Sequence, residues 1–220
     1  MDNSRNHPAG ILLQVYADID LLALELCSDR LPYAPSVEAR RALMDQINEE
    51  VVHFSLQEET LMALDRPFSP VISLENRLMI KEWFARLDWY EFLAGLQLGI
   101  EGIGISVVET VSRVTHPVIQ ESLRIPIADE RRQASFGVRE WRSRLSGCTP
   151  HEKEVLRDRV LVLFEEIYAM TDDLLPVPFE ACWSALGLKK ADLWDAVCVR
   201  TCKVLDQCGF DPKLPASFVA

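Results

Sequence analysis

Ile47-Asn48-Glu49-Glu50-Val51-Val52-His53-Phe54 carries the most informative spacing in the chain. Residues three apart share a helix face, so Glu50 and His53 set one carboxylate beside one imidazole. Helical bundles use this Glu-x-x-His spacing to hold iron or manganese from a single helix. A second stretch, Ile127-Ala128-Asp129-Glu130-Arg131-Arg132-Gln133-Ala134, repeats the pattern but has Gln133 where a histidine would complete it. Alone, Glu50 and His53 also read as an exposed glutamate beside an ordinary histidine, and Asp129 to Arg132 as a solvated charge run. The two motifs together give the metal reading its weight.

Around these motifs the chain reads as helix throughout. Apolar residues recur at three- and four-residue spacing, while strict alternation and Asn-Gly or Asp-Gly hairpin turns are absent. The spacing predicts an all-α single domain. A first helix runs from about Ala9 to Arg30, and Ser36 caps a second that reaches about Leu64. Ser73 caps a third segment that extends past Glu109, long enough to expect a kink. Pro117 begins a fourth, which should bend or restart at Pro126. Thr149-Pro150-His151-Glu152 reads as a capping box with proline at the first helical position. Short and long helices follow near Phe179 to Leu186 and Lys190 to Gln207, the last closed by Gly209.

A two-metal site needs further carboxylates from the helices that run against the motif helices. With a turn near Thr115 to Pro117, the residue facing Glu130 is Glu101 or its neighbour. Glu101 is the only charged residue between Glu91 and Glu109. A lone carboxylate in so apolar a run must be paired, protonated or metal-bound if buried. With the first turn near Ala34, the residue facing Glu50 is Asp18, and Glu25 lies two turns later on the same stripe. Either choice gives four carboxylates, enough to neutralise two divalent ions. Gly95, Gly99, Gly102 and Gly104 flank Glu101 and read equally as a close helix crossing or as room or a helix break beside it. His7, His116 and His151 stand alone. Trp83, Trp89 and Trp141 fall at helical spacings and read as core or interface residues.

Composition excludes several functions. The 220 residues carry 23 basic and 34 acidic side chains, a net charge of −11, so nucleic acid and anionic membranes are poor partners. The apolar run Phe92 to Val108 contains Gln97 and Glu101 and falls short of a membrane span. Met1 to Asp20 lacks a basic start and meets Asp18 and Asp20 where a signal peptide is still apolar. A cytosolic protein is expected, and its six cysteines, with no C-x-x-C pair, read as free thiols. The sequence does not choose between monomer and homodimer.

The segment Glu101 to Leu145, with Ile127 to Gly137 at its centre, resembles the ferritin-like di-iron carboxylate superfamily, most of all its aldehyde-deformylating oxygenases. The likeness includes a second Glu-x-x-His two helices earlier, the Phe136-Gly137 pair after the second motif, and the ending Asp206-Gln207-Cys208-Gly209-Phe210. Amine N-oxygenases share the motif pattern. The resemblance implies a ferritin-like bundle with extra C-terminal helices, and a buried pair of iron ions, or iron with manganese, that activates dioxygen beside an apolar channel. It implies a small apolar or amine-bearing substrate and an external electron donor, since no flavin, haem or iron-sulfur motif is present. The metal residues it implies are Glu50, His53, Glu101 and Glu130, with Asp18 or Glu25, and Gln133 in a histidine's place. An amide oxygen is a weaker ligand than imidazole, so the second metal is expected to bind more loosely. The rival reading is a bundle whose metal site has decayed into a binding or scaffold protein.

Overall fold

Ser36 opens α2 (Val37–Ala63) by accepting the Ala39 N–H at 3.0 Å, and Ser73 opens α3 (Leu74–Ala85) by accepting the Asn76 N–H at 3.1 Å. These are the side-chain caps that satisfy helix-starting amides. The computed structural model describes residues 8–174 and 177–219, and His7 lies outside them. Ahead of α2 runs α1 (Pro8–Arg30), and the two pack as a hairpin across a 3₁₀ turn, Leu31–Tyr33. Beyond α3, Asp88 and Glu91 form a capping box at α4 (Trp89–Leu93). The chain continues through a π-helical segment, Ala94–Ile103, into α5 (Gly104–Ser112). After it come α6 (Pro117–Leu145), α7 (Pro150–Leu174), α8 (Phe179–Ala185), α9 (Lys190–Cys208) and α10 (Ala216–Val219). Among the described residues there is no strand.

Several sequence boundaries reappear in the structure. Thr149 and Glu152 form the reciprocal bonds of a capping box, with Glu152 Oε2 accepting the Thr149 N–H at 2.7 Å. Gly209 closes α9 at φ 94°, a backbone angle that favours glycine. The interruption expected in the long third segment falls at residues 86–88, between α3 and α4. Of the bend or restart expected at Pro126, the restart does not occur: α6 continues through it as one helix. Pro126 is buried, and α6 is held along its length by packing on α2 and on the π segment.

The glycines account for the π segment that carries Glu101. In this wider turn the carbonyl five residues back comes close beneath the Cα, and the Gly104 N–H bonds to Gly99 O in this way. A Cβ at Gly102 would lie 3.0 Å from Gln97 O, too close for a side chain on rigid backbone. Gly95 serves the helix crossing, because a Cβ there would lie 3.0 Å from the Phe84 ring. Both readings of the glycine run therefore apply, at different positions. Such π segments interrupt helices often at functional sites.

The helix Trp89–Ser112 that contains this segment is long and apolar enough to cross a membrane by composition, with mean hydropathy 1.4 over its most apolar window. Yet 72% of that window is buried inside the bundle. Leu93, Leu96, Leu98 and Ile103 join Phe164 of α7 and Trp141 of α6 in the main core. The central helix is thus surrounded by α6, α7 and α9.

Candidate metal centre

Asp20 on α1 and Glu50 and His53 on α2 are buried together at the middle of the bundle. Their ligand atoms lie within 4.8 Å of one another, and the three could hold a metal ion. His53 Nδ1 is 3.1 Å from Glu50 Oε2, and its Nε2 is 3.1 Å from Asp129 Oδ2 on α6. The second contact orients the ring so that Nδ1 faces Glu50. A carboxylate on the far ring nitrogen is the usual support of a metal-binding imidazole. Gln57 donates to Asp20 Oδ2 at 2.6 Å and steadies the third member.

The helix-one expectation needs correction. Asp18 is fully buried, but its Oδ2 accepts the amides of Val71 and Ile72, each at 2.6 Å, and its Oδ1 pairs with Arg77. Glu25 pairs with Arg77 and Lys81 on α3. Both carboxylates therefore fasten α1 to α3 and the loop before it, while Asp20 faces Glu50. Two residues along a helix is a rotation of about 200°, which separates Asp18 from Asp20. Residue 35, not Ala34, lies midway between Asp20 and Glu50, and an error of one residue in the turn becomes two in the partner.

Glu101, Glu130 and Gln133 all point inward, at 5%, 8% and 5% exposure. Gln133 donates its Nε2 to Glu49 Oε2 at 2.9 Å and to Glu50 Oε1 at 3.3 Å. A residue that drew no attention in the sequence, Gln46, sits one turn before Glu50. Its Nε2 lies 3.2 Å from Glu50 Oε1, 3.2 Å from Glu101 Oε1 and 3.3 Å from Gln133 Oε1. Its Oε1 accepts from Gln97 at 3.0 Å. Asp129 and Glu49, each just before a motif glutamate, are bridged by Arg132 at 2.9 and 2.6 Å. The only sequence signal for these supports was the pair of acidic doublets, Glu49-Glu50 and Asp129-Glu130.

Burial of so many acids sets the electrostatics. The carboxyl groups of Asp20, Glu101 and Glu130 are held well above the usual range, first by burial and then by neighbouring negative charge, with Glu50 acting on all three. Burial alone would depress the His53 pKa. Its hydrogen bond to Glu50, the Asp20 charge and the Asp129 bond outweigh that and raise it to about 9. A divalent cation relieves these costs, because it ionises buried carboxylates and displaces the imidazole proton. The donor set thus fits a hard or borderline divalent metal.

One side of the cluster opens on a cavity of about 300 Å³, with Asp20, Glu101 and Glu130 on its wall and apolar side chains such as Ile100, Ile105, Val108 and Ile167 around the rest. Tyr16, one turn before Asp20, also lines it. Its hydroxyl is buried without a hydrogen-bond partner, and burial followed by the Glu130 charge pushes its pKa up.

Helices α1, α2, Trp89–Ser112 and α6 around this acidic centre make the chain a ferritin-like helical bundle. A solved structure, Protein 19 with aldehyde deformylating oxidase activity from Synechococcus, is similar to it with a TM-score of 0.69, covering 95% of this chain and 90% of that one at 15% identity. At that identity the likeness is one of fold. No protein-family model matches the chain, and no curated protein matches it in sequence.

Proposed function

We propose that the chain is a non-haem metal-dependent oxygenase or oxidase that uses dioxygen on a small apolar or amine-bearing substrate. The observation that carries this reading is the convergence of Asp20, Glu50 and His53 in a ferritin-like bundle, beside an apolar cavity whose wall carries Asp20, Glu101 and Glu130. Asp20, Glu50 and His53 would hold the metal, with Glu130 and Glu101 beside it. Iron suits this donor set, and manganese is the alternative. When bound, such a metal supplies redox chemistry toward dioxygen, with electrons from an external donor.

The chain's own residues do the remaining work. Asp129 keeps the His53 ring turned toward the cluster. Arg132 compensates Glu49 and Asp129, leaving the inner carboxylates to balance the metal. The apolar lining excludes water and selects an apolar substrate body. Tyr16 offers its hydroxyl, which has no protein partner, to the polar end of that substrate.

The experiment is dioxygen consumption by iron-loaded protein with a chemical reductant and a panel of aldehydes and aliphatic amines. Substrate-dependent uptake that disappears in Glu50→Ala supports the proposal, and equal uptake in that variant refutes it. A scaffold with a decayed site is the second reading, favoured by Gln133 in a ligand position. It predicts a folded protein that takes up no iron.

A further inference from the structure

We infer that this centre holds one divalent cation rather than two, and that the side-chain amide of Gln46 fills the place of the second. The inference rests on the proposed metal site at Asp20, Glu50 and His53.

Gln46 Nε2 stands at the focus of three oxygens from three different elements. These are Glu50 Oε1 on α2, Glu101 Oε1 on the π segment and Gln133 Oε1 on α6, all within 3.2 to 3.3 Å. An amide nitrogen has two hydrogens, so it cannot make three full bonds. Its position between the acceptors is the one a small cation would take, and its partial positive charge serves the same purpose more weakly.

Both ends of the arrangement are held. Gln97 Nε2 donates to Gln46 Oε1 at 3.0 Å, which keeps the Gln46 NH₂ turned toward the acids. Gly137 makes room for Gln97, since a Cβ there would lie 3.2 Å from both Gln97 Cβ and Gln97 Oε1. On the other side, Gln133 is oriented by its 2.9 Å bond to Glu49, so that its oxygen faces Gln46. Two amides thus complete each other where a second imidazole and a second ion would have to fit. In the Asp20, Glu50 and His53 corner the Gln57 amide bonds one oxygen, Asp20 Oδ2, rather than standing between the ligands, and the three ligand atoms converge with His53 Nδ1 facing Glu50.

The test is metal stoichiometry on the full-length protein, stripped of metal and dialysed anaerobically against Fe(II), with folding checked by circular dichroism. Wild type should take up one equivalent, and Gln46→Glu combined with Gln133→His should take up two. Two equivalents in wild type would overturn the inference but leave the metal site standing. No metal in folded wild type would overturn the site itself and the inference with it. A folded double variant that stays at one equivalent would remove the role given to Gln46. Electron paramagnetic resonance of Mn(II)-loaded wild type gives a check that needs no variant. An isolated six-line signal supports a single ion, and an exchange-coupled spectrum from a pair contradicts it.

Discussion

Asp129 Oδ2 lies 3.1 Å from His53 Nε2 across the α2–α6 interface, and Glu49 Oε2 lies 2.9 Å from Gln133 Nε2 across the same interface in the opposite sense. In each motif, the acid just before the glutamate supports the side chain three positions after the other motif's glutamate. Replacing Asp129 by alanine should therefore weaken Mn(II) or Fe(II) binding by about 10- to 100-fold, the usual loss when an imidazole's outer partner is removed. Anaerobic titration calorimetry would measure it. Wild-type affinity in that variant would mean that Asp129 does not position His53.

Asp18 and Asp20 should separate stability from metal binding. Asp18→Ala leaves the amides of Val71 and Ile72 without their acceptor and the part-buried Arg77 with Glu25 as its remaining acidic partner, and should cost about 2–5 kcal/mol in urea unfolding with metal uptake per folded molecule unchanged. Asp20→Ala should lose metal and leave the metal-free protein as stable as wild type or more so, because one member of a crowd of like charges is gone. The reverse pattern would exchange their roles.

That contrast also marks how far the sequence could be read. The inward placement of Glu50, His53, Glu101 and Glu130 was legible because helical spacing and the isolation of Glu101 in an apolar run are properties of the sequence itself. Asp20 was not, since the choice among acids on α1 depends on where the α1–α2 turn is centred, and helix period leaves Asp18 and Asp20 on different faces. Gln46 was invisible because an amide one turn before a glutamate carries no motif. The bundle and most of its boundaries were written in Ser36, Ser73, Thr149 and Gly209. The uninterrupted passage of α6 through Pro126 was not, because tertiary packing decided it.

Gly102→Ala should destabilise the protein by about 1–3 kcal/mol, as its Cβ presses on the Gln97 carbonyl, a contact that backbone cannot easily yield. Gly147→Ala, whose Cβ would meet nothing within 4 Å, should shift stability by no more than about 0.5 kcal/mol. Chemical denaturation of both variants checks this. Equal effects would remove the steric reason for glycine in the π segment.

The metal-free protein should lose thermal stability as pH rises. His53 has its pKa raised from 6.5 to about 9, so its favourable contribution is complete below 6.5 and is lost as pH passes through 9. Asp20, Glu101 and Glu130 are raised as acids, so the unfolded chain ionises first and each costs stability above the ordinary carboxylate range. The two effects share a sign. Calorimetry of metal-free protein should show a lower melting temperature near pH 9 than near pH 6, and Mn(II) should raise it more at the higher pH because binding releases protons. A flat or rising profile would contradict the buried charge cluster.

Anomalous diffraction at the iron edge from an iron-soaked crystal tests the metal site most directly. The expected result is a peak bounded by Asp20, Glu50 Oε2 and His53 Nδ1, with Asp129 still holding Nε2. Iron bound only elsewhere, or His53 turned with Nδ1 away from Asp20 and Glu50, would contradict it.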